Sequence, residues 1–204
     1  QRLLPCIAAV LFSAELMAHE FWIEPSTHSA SVGEDVQILL KVGQEFRGSA
    51  QPYLPSDFER FEHISAGATV AIQGLLGDSR PAATIRLAPG LNQIIHHTVP
   101  FDIVFSEGDT RWADYVALDG LADQLAAHPA LPQVTPVSER YVRSVKSLVI
   151  GGSGGVQDRL TGRLPYELVL EGSLKPGAQV FRLYAGDRHQ SGILIKAFRH
   201  SDRA

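Results

Sequence analysis

The sequence is poor in cysteine, in long apolar runs and in the motifs of covalent catalysis, and each shortage removes a class of protein. Its single cysteine, Cys6, lies inside an N-terminal segment with the marks of an export signal. The remainder therefore has no thiol and cannot use disulfides. Beyond that segment no stretch approaches the roughly 20 consecutive apolar residues of a membrane-spanning helix, so no stable membrane insertion is expected once the signal is cleaved. The single Gly-x-Ser-x-Gly match, Gly151-Gly152-Ser153-Gly154-Gly155, lies in a glycine run with no helix pattern after it and so lacks the context of a nucleophile elbow. No His-Glu-x-x-His helix occurs, and the acidic residues are too scattered to single out a catalytic pair. The chain reads as a non-enzyme. A formal net charge of −4 argues against nucleic acid as a partner, which calls for a basic stripe. What remains is ample for a core: 204 residues, 45% of them hydrophobic, without disulfide support.

The first 18 residues differ from the rest. Arg2 is basic, Leu3 to Phe12 is almost wholly apolar, and Ser13 to Ala18 closes with small residues. That is the layout of a secretory signal. A cut after Ala18 leaves Leu16 at the third-last position, which is tolerable; a cut after Ala14 would leave bulky Phe12 there. The expected mature chain begins at His19, and its expected location is the periplasm or cell envelope. The chain opens on Gln1 rather than Met, so the reading frame is expected to start upstream.

From His19 to residue 150 the pattern predicts a β-rich domain. Phe21 to Glu24 is a short apolar run stopped by Pro25, and Val36, Ile38 and Leu40 mark a strand with one buried face. Residues 44–61 read as a loop pinned by Phe46, Tyr53, Phe58 and Phe61. Further strands are expected at Ala68–Gln73, Thr84–Leu87 and Gln93–Val99. Trp112, Tyr115, Val116, Leu118, Leu121 and Leu125 predict an amphipathic helix over 110–127, so one or two helices interrupt the β pattern. Residues 138–150 suit helix or strand. Glycines at 151, 152, 154 and 155 lack the Lys-Ser/Thr of a phosphate loop and read as a linker over 151–162. Pro165–Leu170, Gln179–Tyr184 and Gly192–Phe198 then read as the opening strands of a second, Ig-like module over 163–204. Three strands cannot close a sandwich of about seven, so that module is expected to be incomplete.

Histidine is the informative residue type. If the signal is cut after Ala18, the α-amine and imidazole of His19 belong to one residue and can chelate one metal. An amine of pKa about 8 yields its proton readily to a metal, and such nitrogen pairs suit Cu(II) or Ni(II). His96 and His97 are adjacent in an expected strand, so they face opposite ways and one at most can join the site. His63 reaches the N-terminus only if the preceding loop folds back. His28, His128, His189 and His200 sit in polar or turn-like settings and read as surface residues.

The start His19-Glu20-Phe21-Trp22-Ile23-Glu24-Pro25 resembles that of a large bacterial family of exported proteins of unknown function. Its members are often labelled periplasmic components of nickel or cobalt uptake systems. Similar stretches are Val42 to Gly48, Phe58-Glu59-Arg60-Phe61, Glu139-Arg140-Tyr141 with Lys146 to Val149, Pro165 to Val169, and Leu174 to Gly177. The resemblance implies an all-β, Ig-like β-sandwich and a metal-related role outside the cytoplasm. It carries over only His19 and Glu20 as metal candidates, because the family strand matching His96 and His97 often has no histidine. Members also carry a complete second β module.

Together these readings predict an exported metal-binding protein serving nickel, cobalt or copper delivery, with a membrane metal transporter as its partner. Its candidate ligands are His19, Glu20, His63, His96 and His97. The alternative is a carbohydrate- or protein-binding β-sandwich module of the cell envelope, for which Trp22, Tyr53 and Trp112 are the aromatics to locate.

Overall fold

The computed structural model describes residues 20–130, 134–153, 157–159, 161–172 and 179–198. The signal segment, His19 and His200 lie outside these, as do the central glycines of the expected linker. The chain begins with β1 (Glu20–Pro25), a two-residue β2 (Ser29–Ala30) and β3 (Asp35–Gln44). A tight turn at Glu45 and Phe46 leads to β4 (Arg47–Gln51), and a 3-10 turn (Pro55–Asp57) to β5 (Phe58–Ser65), which hairpins into β6 (Ala68–Ala71). Next come β7 (Ala83–Arg86), β8 (Gly90–Thr98) and β9 (Phe101–Phe105), then helices α1 (Arg111–Asp119) and α2 (Ala122–Ala127). The path continues through β10 (Val137–Tyr141), β11 (Ser144–Gly151), β12 (Tyr166–Glu171), β13 (Val180–Ala185) and β14 (Arg188–His189). The protein is mostly β, with two short helices among the described residues.

Two compact units divide the described residues: 105–137, and the rest. In the larger unit, sheet A has the order β1-β3-β4, with β7 also paired to β3, and sheet B the order β2-β11-β8-β5-β6. β12, β13 and β14 form a third, antiparallel sheet. The inward faces of sheets A and B share one core. Val36, Ile38 and Leu40 come from β3, Ile85 from β7, Phe61 from β5, Ile94 from β8 and Val149 from β11. Each such side chain contributes about 1.5–3 kcal/mol on burial. The alternation in β3 is as the sequence predicts: Val36 and Ile38 are buried, while Asp35 and Gln37 are exposed.

The turn between β3 and β4 shows how a local motif is built. Gly43 and Gly48 stand opposite each other in the register. A Cβ on either would collide with the facing backbone, with the Arg47 carbonyl in one case and that of Val42 in the other. Glu45 and Phe46 take positive φ, 52° and 62°, a region uncommon for residues other than glycine. Glu20 Oε2 accepts from the Glu45 N–H at 2.8 Å, and the Phe46 ring meets Trp22 edge-on. These contacts hold the turn.

Strand β8 is buried on both faces from Asn92 to Thr98. Its inward side meets the core, and Asp158 and Arg159 meet its outward side through Gln93. The contact is a buried charge cluster. Lys146 Nζ, on β11, lies 3.0 Å from Asp158 Oδ2 and 3.0 Å from Glu167 Oε1, with all three side chains at most 8% exposed. Asp158 also accepts from Gln93 Nε2 at 2.7 Å and from the N–H groups of Arg159 and Leu170. Glu167 accepts from the Thr161 N–H and hydroxyl. One ammonium thus faces two carboxylates, and neutral donors supply the remaining stabilisation.

Several expectations are corrected. Residues 44–61 are largely β4 and the start of β5 rather than a loop. Phe58 and Phe61 both reach the core because a bulge between Phe58 and Arg60 shifts the alternation of the strand, and Tyr53 packs against both rings. The helix over 110–127 is two helices, because Gly120 caps α1 in the left-handed region at φ 66°. Residues 138–150 resolve into β10 and β11, and β9 had no clear signal. Gly192–Phe198 is not a strand. Its apolar alternation finds no ladder partner among the described residues, and Ile193, Leu194 and Ile195 are exposed.

The charge cluster makes a testable demand. Lys146→Met leaves two buried carboxylates without a cation, and urea unfolding should show a loss of about 3–5 kcal/mol. Adding Asp158→Asn and Glu167→Gln should recover part of it. A loss below about 1 kcal/mol in the single variant would show that the lysine does not neutralise this site.

Candidate functional site

The histidines named from the sequence do not converge. His63, on β5, stands opposite Ile94 in the register, and its Nε2 lies 2.8 Å from Asn92 Oδ1. Asn92 Nδ2 donates to the carbonyls of Ala88 and Gly90, which fixes the amide orientation. His63 Nε2 is therefore the protonated nitrogen. Pointing inward, His96 packs among Phe21, Phe58 and Phe61 with ring centroids 5.0–5.3 Å away. Its Nδ1 is buried with no hydrogen-bond partner among the described residues. Burial, with the nearby His97, pushes its imidazole down to about 4. His97 faces outward, its Nδ1 2.9 Å from Ser144 Oγ and its Nε2 3.9 Å from Glu59.

The expectation that His96 and His97 face opposite ways holds. Aromatic rings surround His96 where further ligands would have to stand. The Glu20 carboxylate holds the Glu45 turn, and His19 lies outside the described residues. Among the described residues no three His, Cys, Asp or Glu side chains are grouped to hold a metal. His63, His96 and His97 therefore do not fit one shared metal centre.

The aromatics of the alternative reading are also engaged. Trp22 donates from Nε1 to Glu24 Oε2 at 3.1 Å, and the Lys41 ammonium lies 5.9 Å from its ring centroid. Tyr53 is in the core. Trp112 stacks on Tyr115, and both rings meet Phe105 within the smaller unit.

A cleft of about 750 Å³ opens on the outward face of sheet B. Such a volume falls within the roughly 300–1,000 Å³ of small-molecule sites. Ile64 of β5 and Gln93 of β8, opposite each other in the register, line it. The β5–β6 turn (Ser65, Ala66, Gly67) and the turn before β8 (Pro89, Gly90) border it, and Arg159, Thr161 and Arg163 supply another wall. The cluster that buries Asp158 also places Arg159, whose carbonyl accepts from Gln93 Nε2 at 2.7 Å. Arg163 donates from Nη1 to Glu62 Oε1 at 3.3 Å. Sequence reasoning missed this site because its walls are over sixty residues apart in the chain. The one available signal was Gln93, an amide beside the apolar pair Ile94 and Ile95.

Compared with known proteins, the chain matches no family model, no curated protein and no solved structure. The fold and the cleft describe a mostly β protein with an open cleft of mixed polar and apolar lining on one sheet face. No helix among the described residues is long and apolar enough to cross a membrane.

His96 imposes a pH dependence. Its folded-state value, about 4, lies below the unfolded value of about 6.5, so its neutral form is favoured in the fold. Its contribution is fully present above pH 6.5. As pH falls towards 4 the unfolded chain takes up a proton that the folded chain refuses, removing about 3 kcal/mol. Unfolding free energies at pH 7 and pH 4 should show a smaller difference in His96→Phe than in the native chain. Equal differences would exclude His96 as the source.

Proposed function

We propose that this chain is an exported, non-enzymatic ligand-binding module of the bacterial cell envelope, with an Ig-like β-sandwich as its larger unit. The observation that carries this reading is the cleft on sheet B. It is large enough for a small ligand, it borders two turns, and ordered backbone holds its polar wall. The residues that line it include no histidine, cysteine, aspartate or glutamate, so recognition is the activity the lining supports best. The export signal in the sequence supports a location outside the cytoplasm.

The cleft can be tested by closing it. Thr69 lines it from the exposed strand β6, so Thr69→Trp fills space without entering the core. Saturation-transfer NMR with neutral and acidic monosaccharides and trisaccharides should detect binding to the native chain, weakened about tenfold or more in the variant. Absence of binding by every sugar in the panel would remove saccharide recognition from this proposal.

A second reading, delivery of nickel, cobalt or copper to a membrane metal transporter, rests on the resemblance and on His19. The Glu20 carboxylate is tied to the Glu45 N–H, so this reading stands on the amine and imidazole of His19. Protein starting at His19 should bind Cu(II) or Ni(II) through its N-terminal amine, and one extra residue ahead of His19 should abolish that binding. His63→Ala and His97→Ala should leave it unchanged. Unchanged affinity in the extended protein would remove the N-terminal chelate.

A further inference from the structure

The cleft carries positive charge and no negative charge. Its lining includes Arg159 and Arg163 but no aspartate or glutamate, in a chain of formal net charge −4. The nearby acids are engaged elsewhere. Asp158 and Glu167 meet Lys146, and Glu62 Oε1 takes Arg60 and Arg163. Arg163 spends one nitrogen on Glu62 and keeps its other donors. The Arg159 side chain is exposed and meets no carboxylate among the described residues.

Arg159 is also held in place. Its N–H donates to Asp158 Oδ1 at 2.9 Å and its carbonyl accepts from Gln93, so its backbone is fixed to the buried cluster. A guanidinium carried on fixed backbone at the wall of a cleft matches the planar, bidentate geometry of a carboxylate. Around it the lining changes character. Ser65, Thr69 and Gln157 offer hydroxyl and amide groups, while Ile64, Leu91 and Pro89 offer aliphatic surface. Hydroxyl partners, an aliphatic face and a carboxylate partner together describe a sugar acid.

We infer that the cleft binds a small hydroxylated carboxylate of the hexuronate type, with its carboxylate on Arg159 and Arg163. This inference rests on the reading of the cleft as a ligand site. It is tested by calorimetric titration of the full chain with trigalacturonate, with neutral galactotriose and with inorganic phosphate. Trigalacturonate should bind about tenfold or more tightly than galactotriose, and its affinity should fall as salt rises. Arg159→Ala should lose about tenfold or more in affinity with an unchanged melting temperature, whereas Arg188→Ala, an exposed arginine remote in sequence, should change nothing.

Equal binding of both sugars, abolished by Thr69→Trp, would overturn the acidic assignment while leaving the cleft as a sugar site. Phosphate binding as tight as trigalacturonate would also overturn it, reducing the cleft to a general anion site. If neither sugar nor phosphate binds, both the assignment and the saccharide reading of the cleft fail. Trigalacturonate binding that survives Arg159→Ala would move the carboxylate away from this wall.

Discussion

Two carboxylates buried around one ammonium set the terms for much of the larger unit. Asp158 and Glu167 lie beyond the glycine-rich stretch, while Lys146 lies before it on β11. Burying such charges costs several kcal/mol per ion unless each is paired and hydrogen-bonded. Here the surplus negative charge is met by N–H groups of Arg159, Thr161 and Leu170, the Thr161 hydroxyl and the Gln93 amide. Those donors lie on three stretches of chain. Satisfying the charges therefore fixes Asp158 and Arg159 on Gln93 of β8 and Glu167 on Lys146 of β11, and the wall of the cleft follows from that placement.

His96 plays the opposite electrostatic part on the inner face. Phe21 belongs to sheet A, and Phe58 and Phe61 to sheet B, so the imidazole sits where the two sheets meet. Without a partner for Nδ1, the ring is tolerated as a neutral, aromatic-shaped filler. The same burial that depresses its basicity removes it from metal chemistry, since a ligand needs open space and neighbours of its own kind. A histidine beside it in sequence, His97, has a hydroxyl partner instead because strand alternation turns it outward.

Several residues that the sequence singles out have structural work to do in this chain. Gly43 and Gly48 allow β3 and β4 to meet closely, and Glu20 and Trp22 hold the turn between them through Glu45 and Phe46. Phe58 and Phe61 build the aromatic surround of His96. Packing and turn geometry account for these residues in this chain.

The β character of the chain, the buried face of β3 and the opposed directions of His96 and His97 were legible in the sequence. Each follows from a period of two within one strand, a local property. The break at Gly120 and the strands hidden in residues 44–61 were less legible. Residues 192–198 show the limit of such patterns, because alternation makes a strand only where a neighbouring strand supplies hydrogen bonds. Only tertiary structure decided that His63, His96 and His97 stay apart, and that Gln93, Arg159 and Arg163 come together. Burial, pairing and the position of a charge depend on what lies across the sheet, and that neighbour is far away along the chain.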